Sequence, residues 1–150
     1  MLPQSDGYTA PMKIIQHEIE LPTEGHGHII DLTGEVTAWL GSIGATRGQV
    51  TVFVPGSTAA VTTIEFESGA VSDLKKAVER LAPRNAEYDH NLRWGDGNGY
   101  SHVRAALLGP SIVLPVAGGR LDTGTWQQVV LCDFDNRPRT RRIHLQVMGT

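Results

Sequence analysis

The sequence predicts an α+β fold, a single domain with a β-sandwich-like antiparallel core and a few helices. Three observations carry this. Short segments of alternating apolar residues, bounded by Gly and Pro, recur along most of the chain. A helical stripe is clear in one place, where Val71, Leu74, Val78 and Leu81 follow each other at spacings of three and four. The 150 residues are the length of one domain, and a chain of that size buries roughly 70% of its unfolded surface.

In order, residues 1–12 read as a flexible leader with two prolines, and residues 13–150 as the folded domain. KIIQHEIEL reads as a strand that stops at Pro22, and His28–Leu32 as a short strand. Thr33 is then placed to cap a helix carrying Val36, Leu40 and Ile43, with Gly44 at its stop. Val50, Val52 and Val54 alternate in a strand that Pro55-Gly56 breaks, and a strand resumes from Val61 to Phe66. VSDLKKAVERLAPR is a helix with Ser72 as its cap and Pro83 beyond its end. His90–Gly99 has no apolar period, and a short helix starts at Ser101 with Val103, Ala106 and Leu107. A strand, a Gly-Gly turn, further strand and the closing TRRIHLQVMG complete the chain.

Composition excludes several partners. A net charge of −3 offers no basic face for nucleic acid. No apolar run approaches the ~20 residues of a membrane span. The opening residues lack the basic-then-apolar pattern of a secretory signal, and the single Cys132 forms no internal disulfide, so a cytoplasmic location is expected.

Chemistry concentrates in HNLRWGDGNGYSHVRAALLG, His90–Gly109. His90 and His102 are twelve residues apart with Asp96 midway, and both residue types ligate zinc and related ions. The spacing is that of neither a zinc finger nor a HExxH helix, so by spacing alone loop-capping histidines or a subunit contact are the plainer explanation. Gly95–Gly99 lets backbone amides approach a ligand, and a helix start at Ser101 would add free N–H groups; the plain alternative is a set of tight turns. Ser57, Thr58, Thr62 and Thr63 set hydroxyls beside the strand break, fit to hold phosphate or simply to form strand. Glu65 and Glu67 share one strand face, as a general acid or base or as solvated carboxylates. Arg137, Arg139, Arg141 and Arg142 could clamp phosphate bidentately, or pair with Asp133 and Asp135 at a hairpin tip. Trp126 reads as core or subunit contact.

The stretches VFVPGSTAAVTTIEFE, GDGNGYSHVRAALLGPS and GTWQQVVLCDFDNRPR resemble the YjbQ family, and the resemblance covers nearly everything from Lys13 onward. It implies a small α+β domain assembled as a homotrimer, with members named secondary thiamine-phosphate synthase, a transferase that joins a pyrimidine diphosphate to a thiazole phosphate. It implies a cleft with His90, His102, Asp96, Asn98 and Glu65, and a divalent metal, zinc or magnesium, in some members. Many members carry PHTTAA where this chain has PGSTAA, so Gly56 stands at a family histidine and a three-histidine metal site would lack one ligand.

Two functions follow. The first is an enzyme acting on a phosphorylated small molecule, with His90, His102 and Glu65 catalytic and Ser57, Thr58, Asp96, Asn98, Arg104 and Arg137 binding. Its metal would rest on His90, His102 and Asp96. The second is a non-enzymatic homotrimer that binds a metal or ligand in the same cleft. Gly56 separates them, because catalysis at a metal tolerates a lost ligand less well than binding does.

Overall fold

The computed structural model describes residues 10–150, so most of the expected leader lies outside the described residues. Eight strands and four helices follow in the order β1 (Lys13–Thr23), β2 (His28–Asp31), α1 (Thr33–Ser42), β3 (Arg47–Phe53), β4 (Ala59–Ile64), α2 (Ser68–Leu81), α3 (Asp89–Trp94), α4 (Gly99–Leu108), β5 (Ser111–Ala117), β6 (Arg120–Leu121), β7 (Gln128–Asp133) and β8 (Arg139–Gly149). They build two antiparallel sheets, one in the order β1-β8-β3-β5-β6 and one in the order β2-β7-β4. The expected α+β class and antiparallel core are what the chain adopts.

The sheets stack, and helices cover the smaller one. Val50 and Val52 of β3, Leu114 and Val116 of β5, and Ile143, Leu145 and Val147 of β8 share a buried cluster with Val61, Val129 and Leu131 of the small sheet and with Val36 and Leu40 of α1. The opposite face of the small sheet presents Ala60, Val130, Cys132 and the following Phe134 to Val78 of α2 and Ala105 of α4. Strand β7 is therefore covered on both faces, which is why its sequence, VVLC, is continuously apolar where most other strands alternate.

Several elements depart from the sequence expectation, each for a local reason. Strand β1 runs through Pro22, which pairs with Thr140. It is an edge strand, where a proline lacking an N–H leaves no ladder bond unmade. Leu32, not Thr33, caps α1, while the Thr33 hydroxyl accepts the Val129 N–H. Strand β4 spans Ala59–Ile64 rather than Val61–Phe66. Helix α2 begins four residues before Ser72, because the Glu67 carboxylate accepts the Gly69 and Ala70 N–H groups. Those amide bonds also hold the Glu67 carboxyl below its usual range. His90 begins no loop: it lies in α3, which ends on Gly95 in the left-handed conformation. Trp126 is 71% exposed, which removes it from the core.

Candidate functional site

The site lies where β7 ends, β4 begins and β8 begins. Register places Ala59 opposite Asp133, and the β7–β8 turn carries Asp135 to Arg139 past the same end of the sandwich. The α3–α4 elbow docks here through Asn98. Its side-chain oxygen accepts the Ser101 hydroxyl and the Asn136 N–H, while the Asn136 side chain donates to the Asp96 carbonyl at 2.8 Å. The Ser101 hydroxyl also meets the Phe134 carbonyl. Gly99 makes this approach possible, since a Cβ there would sit 2.5 Å from Tyr88 Cβ.

The elbow brings the two histidines together. The His90 and His102 rings have centroids 4.3 Å apart and tilt by 38°. His90 Nδ1 lies 3.3 Å from Asp96 Oδ1, off the angle of a hydrogen bond, and has no other partner. His102 faces the Ser57 backbone of the β3–β4 loop. Burial, and then the neighbouring His90, hold its imidazole below the usual value, against the weaker pull of Asp96 and Asp135. His102 is thus neutral near pH 7 and able to accept a proton.

Beneath the histidines lies a buried ionic network. Arg141 grips Asp133 with Nε at 2.7 Å and Nη2 at 2.8 Å, and Nη2 also donates to the Thr58 hydroxyl. Thr58 donates to Asp135, which receives Arg139 Nε at 3.0 Å. Thr23 of β1 closes the network on Asp133. Burial alone would raise the pKa of both aspartates, but the guanidinium and hydroxyl bonds outweigh it and hold both below the usual carboxylate range.

Of the residues expected at the site, His90, His102 and Asp96 lie together, His102 reaches the Ser57 backbone, and Arg137 is exposed on the adjoining turn. Thr58 and Asn98 are buried and engaged in the framework, so they hold the loops in place rather than face a ligand. Arg104 is also structural: its Nε and Nη2 donate to the Ala82 carbonyl, and it pairs with Glu79 and packs on the Tyr100 ring. Glu65 is exposed beyond the far end of β4, six residues from Ala59, roughly 20 Å at the usual strand rise. That separation removes it from the histidines. Among the described residues no group of three or more His, Cys, Asp or Glu side chains is placed to hold a metal ion, so His90, His102 and Asp96 do not assemble as a ligand set within this chain. Buried Cys132, its thiol pushed up to about 12 by burial, is no nucleophile.

Residues 17–150 match the family model described as UPF0047 protein YjbQ-like. This chain belongs to the YjbQ-like family. A UPF0047 protein of Methanothermobacter thermautotrophicus is 39% identical over 138 residues, covering 92% of this chain and 94% of its own length. Protein YugU of Bacillus subtilis, also UPF0047, is 35% identical over 132 residues, covering 87% and 97%. The crystal structure of a YbjQ-like protein of unknown function from Sulfolobus solfataricus superposes with a TM-score of 0.88 at 30% identity, covering 93% of this chain and 100% of that one. A hypothetical protein of Aeropyrum pernix superposes with a TM-score of 0.84 at 33% identity.

In this YjbQ-like domain, the part of the site that sequence reasoning left as hairpin-tip charge is the Asp133–Arg141 network. The available signal was its position: DFD continues a strand apolar on both faces, and Arg139 and Arg141 stand two apart on one face of the next strand. An acid continuing a fully buried strand needs a cation opposite it.

Proposed function

We propose that this protein acts on a phosphorylated small molecule in the cleft of His90 and His102, and that a transfer reaction of the thiamine-phosphate synthase kind is the activity to test. The observation that supports this is the imidazole pair, with one ring facing the Asp96 carboxylate and the other kept neutral by burial. Such a pair supplies a proton donor and a proton acceptor within one substrate's reach. In the synthase reaction a carbon–oxygen bond to diphosphate breaks as a carbon–nitrogen bond forms. The departing diphosphate keeps the electron pair, and the exposed Arg137 guanidinium on the adjoining turn would offset its charge. The test is formation of thiamine phosphate from the pyrimidine diphosphate and thiazole phosphate by the wild type, His90→Ala and His102→Ala. Loss of about 10²-fold in both variants supports the reading; equal rates in all three proteins refute it.

A second reading, a homotrimer that binds a metal or ligand without turnover, draws on the same pair. Two imidazoles without a third ligand from this chain are half of a site that a neighbouring subunit would complete. Light scattering of the purified protein together with its zinc and magnesium content tests it. A metal-free monomer removes it.

A further inference from the structure

Arg141 is 9% exposed, yet its guanidinium is not fully engaged. Nε and Nη2 are taken up by Asp133 and Thr58. Nη1 donates to no described residue, and among the described residues the buried orphan atoms are His90 Nδ1 and Tyr100 Oη, so Nη1 keeps an opening to solvent. The opening is at Gly56. A Cβ there would sit 3.3 Å from Nη1, so any side chain larger than hydrogen would crowd the outward edge of the guanidinium. Gly56 holds φ at +122°, a conformation L side chains rarely adopt. The amides of Gly56 and Ser57 donate to no described residue, and neither does the Ser57 hydroxyl. His102 lies against the same loop through the Ser57 backbone.

We infer that Arg141 Nη1, the Gly56 and Ser57 amides and the Ser57 hydroxyl form a subsite for a phosphoryl group, opening beside His102. This rests on the proposed action on a phosphorylated small molecule and deepens it by locating the phosphate. The chemistry of the donors selects the ligand. They come from two side chains and from successive backbone positions, a spread that suits the several oxygens of a tetrahedral phosphoryl better than one planar carboxylate. The charge is favourable because Asp133 and Asp135 are already matched by Arg141 and Arg139, and exposed Arg137 adds a cation on the neighbouring turn. Fixed by its bonds to Asp133, the guanidinium offers its free edge without loss of side-chain freedom on binding.

The test is calorimetric titration of the full chain with inorganic phosphate, pyrophosphate and malonate. Wild type should bind the phosphates in preference to malonate. Ser57→Ala should weaken phosphate by about tenfold or more, the loss expected of a charge-assisted hydrogen bond, and Gly56→Ala should weaken it as well because its methyl crowds Arg141 Nη1. Because Gly56→Ala also strains the loop, backbone amide shifts of the wild type are followed in parallel, and phosphate should move Gly56 and Ser57. No phosphate binding, equal binding of malonate, or unmoved Gly56 and Ser57 amides would overturn the subsite. His90→Ala separates it from the function on which it rests. Phosphate binding retained with no synthase turnover in any protein removes the reaction and keeps the subsite; turnover by the wild type with unmoved loop amides does the reverse.

Discussion

Arg141 meets Asp133 through two hydrogen bonds, from Nε at 2.7 Å and from Nη2 at 2.8 Å, onto a carboxylate with no exposed surface. The pair closes one end of the space between the two sheets, with Arg141 on the same strand face as Ile143, Leu145 and Val147. A buried pair of this kind adds little over an apolar replacement of both partners, yet either partner alone is costly. Arg141→Met is therefore expected to destabilise the domain by about 3–5 kcal/mol, because it strands the Asp133 charge. Urea unfolding measures this, and a loss below about 1 kcal/mol would show that water reaches Asp133 after all.

The same network sets the acid limit of the fold. Asp133 and Asp135 are held below the usual carboxylate range in the folded state, burial being outweighed by their bonds to Arg141, Arg139, Thr23 and Thr58. A depressed carboxylate stabilises the fold above its unfolded pKa of about 4, and that stability is lost as pH falls through the folded value. Stability should be flat from neutral pH down to about 5 as far as these groups decide it, then fall steeply. In Asp133→Asn that acid limb should flatten. An unchanged slope in the variant would assign the limb to other carboxylates.

His102 titrates with the opposite starting charge. Its folded value lies below the usual imidazole value because of burial first and His90 second, with Asp96, Asp135 and the Ser57 backbone opposing. Proton binding therefore favours the unfolded chain, and the contribution of His102, present above its unfolded pKa of about 6.5, is lost as pH falls through the folded value. Imidazole proton resonances should give His102 a midpoint below 6.5, and His90→Ala should move it upward. A wild-type midpoint above 6.5 would mean that the carboxylates dominate the cleft and that His102 is the acid of the pair.

The sheets were legible because burial writes a local pattern: alternating β3 and β8 face one core, and continuous VVLC is buried on both sides. Helix α3 was not legible for the converse reason. None of its six residues is buried, so no apolar period marks it, and it is held by the Gly95 stop and by Asn91, whose side-chain oxygen accepts the Gly99 N–H at 2.8 Å. The start of α2 was misplaced because a serine at 72 is a commoner cap than the glutamate that serves. At the site, His90, Asp96 and His102 were visible as composition in one polar stretch. The pairing of arginines with Asp133 and Asp135 was visible too, as the alternative to a phosphate clamp, but its burial was not, since Thr23, Thr58 and Arg141 come from three distant segments and only the closed sandwich end makes their charges interior. Arg104 failed in the same way: an arginine two residues after a histidine looks like a ligand until Ala82 and Glu79 are seen to hold it.

Gly99 offers a test of how tightly the histidine elbow is built. It opens α4, where alanine would ordinarily improve helix stability by up to about 1 kcal/mol. Here the added Cβ would fall 2.5 Å from Tyr88 Cβ and 2.8 Å from Tyr88 Cγ, with Asn91 Oδ1 at 3.0 Å, so Tyr88 or the whole of α3 must shift. Overpacking of this sort costs about 1–3 kcal/mol, which outweighs the propensity gain. Gly41→Ala supplies the contrast, because it lies in α1 with nothing within 4 Å of the new Cβ. Thermal unfolding should therefore show Gly41→Ala at or above the wild-type midpoint and Gly99→Ala below it. The His90–His102 ring contact should loosen in Gly99→Ala alone, since Tyr88 is the residue that caps the helix carrying His90. If Gly99→Ala melts with the wild type and leaves both imidazole resonances in place, α3 slides freely against α4, and the 4.3 Å spacing of the rings is not set by that contact.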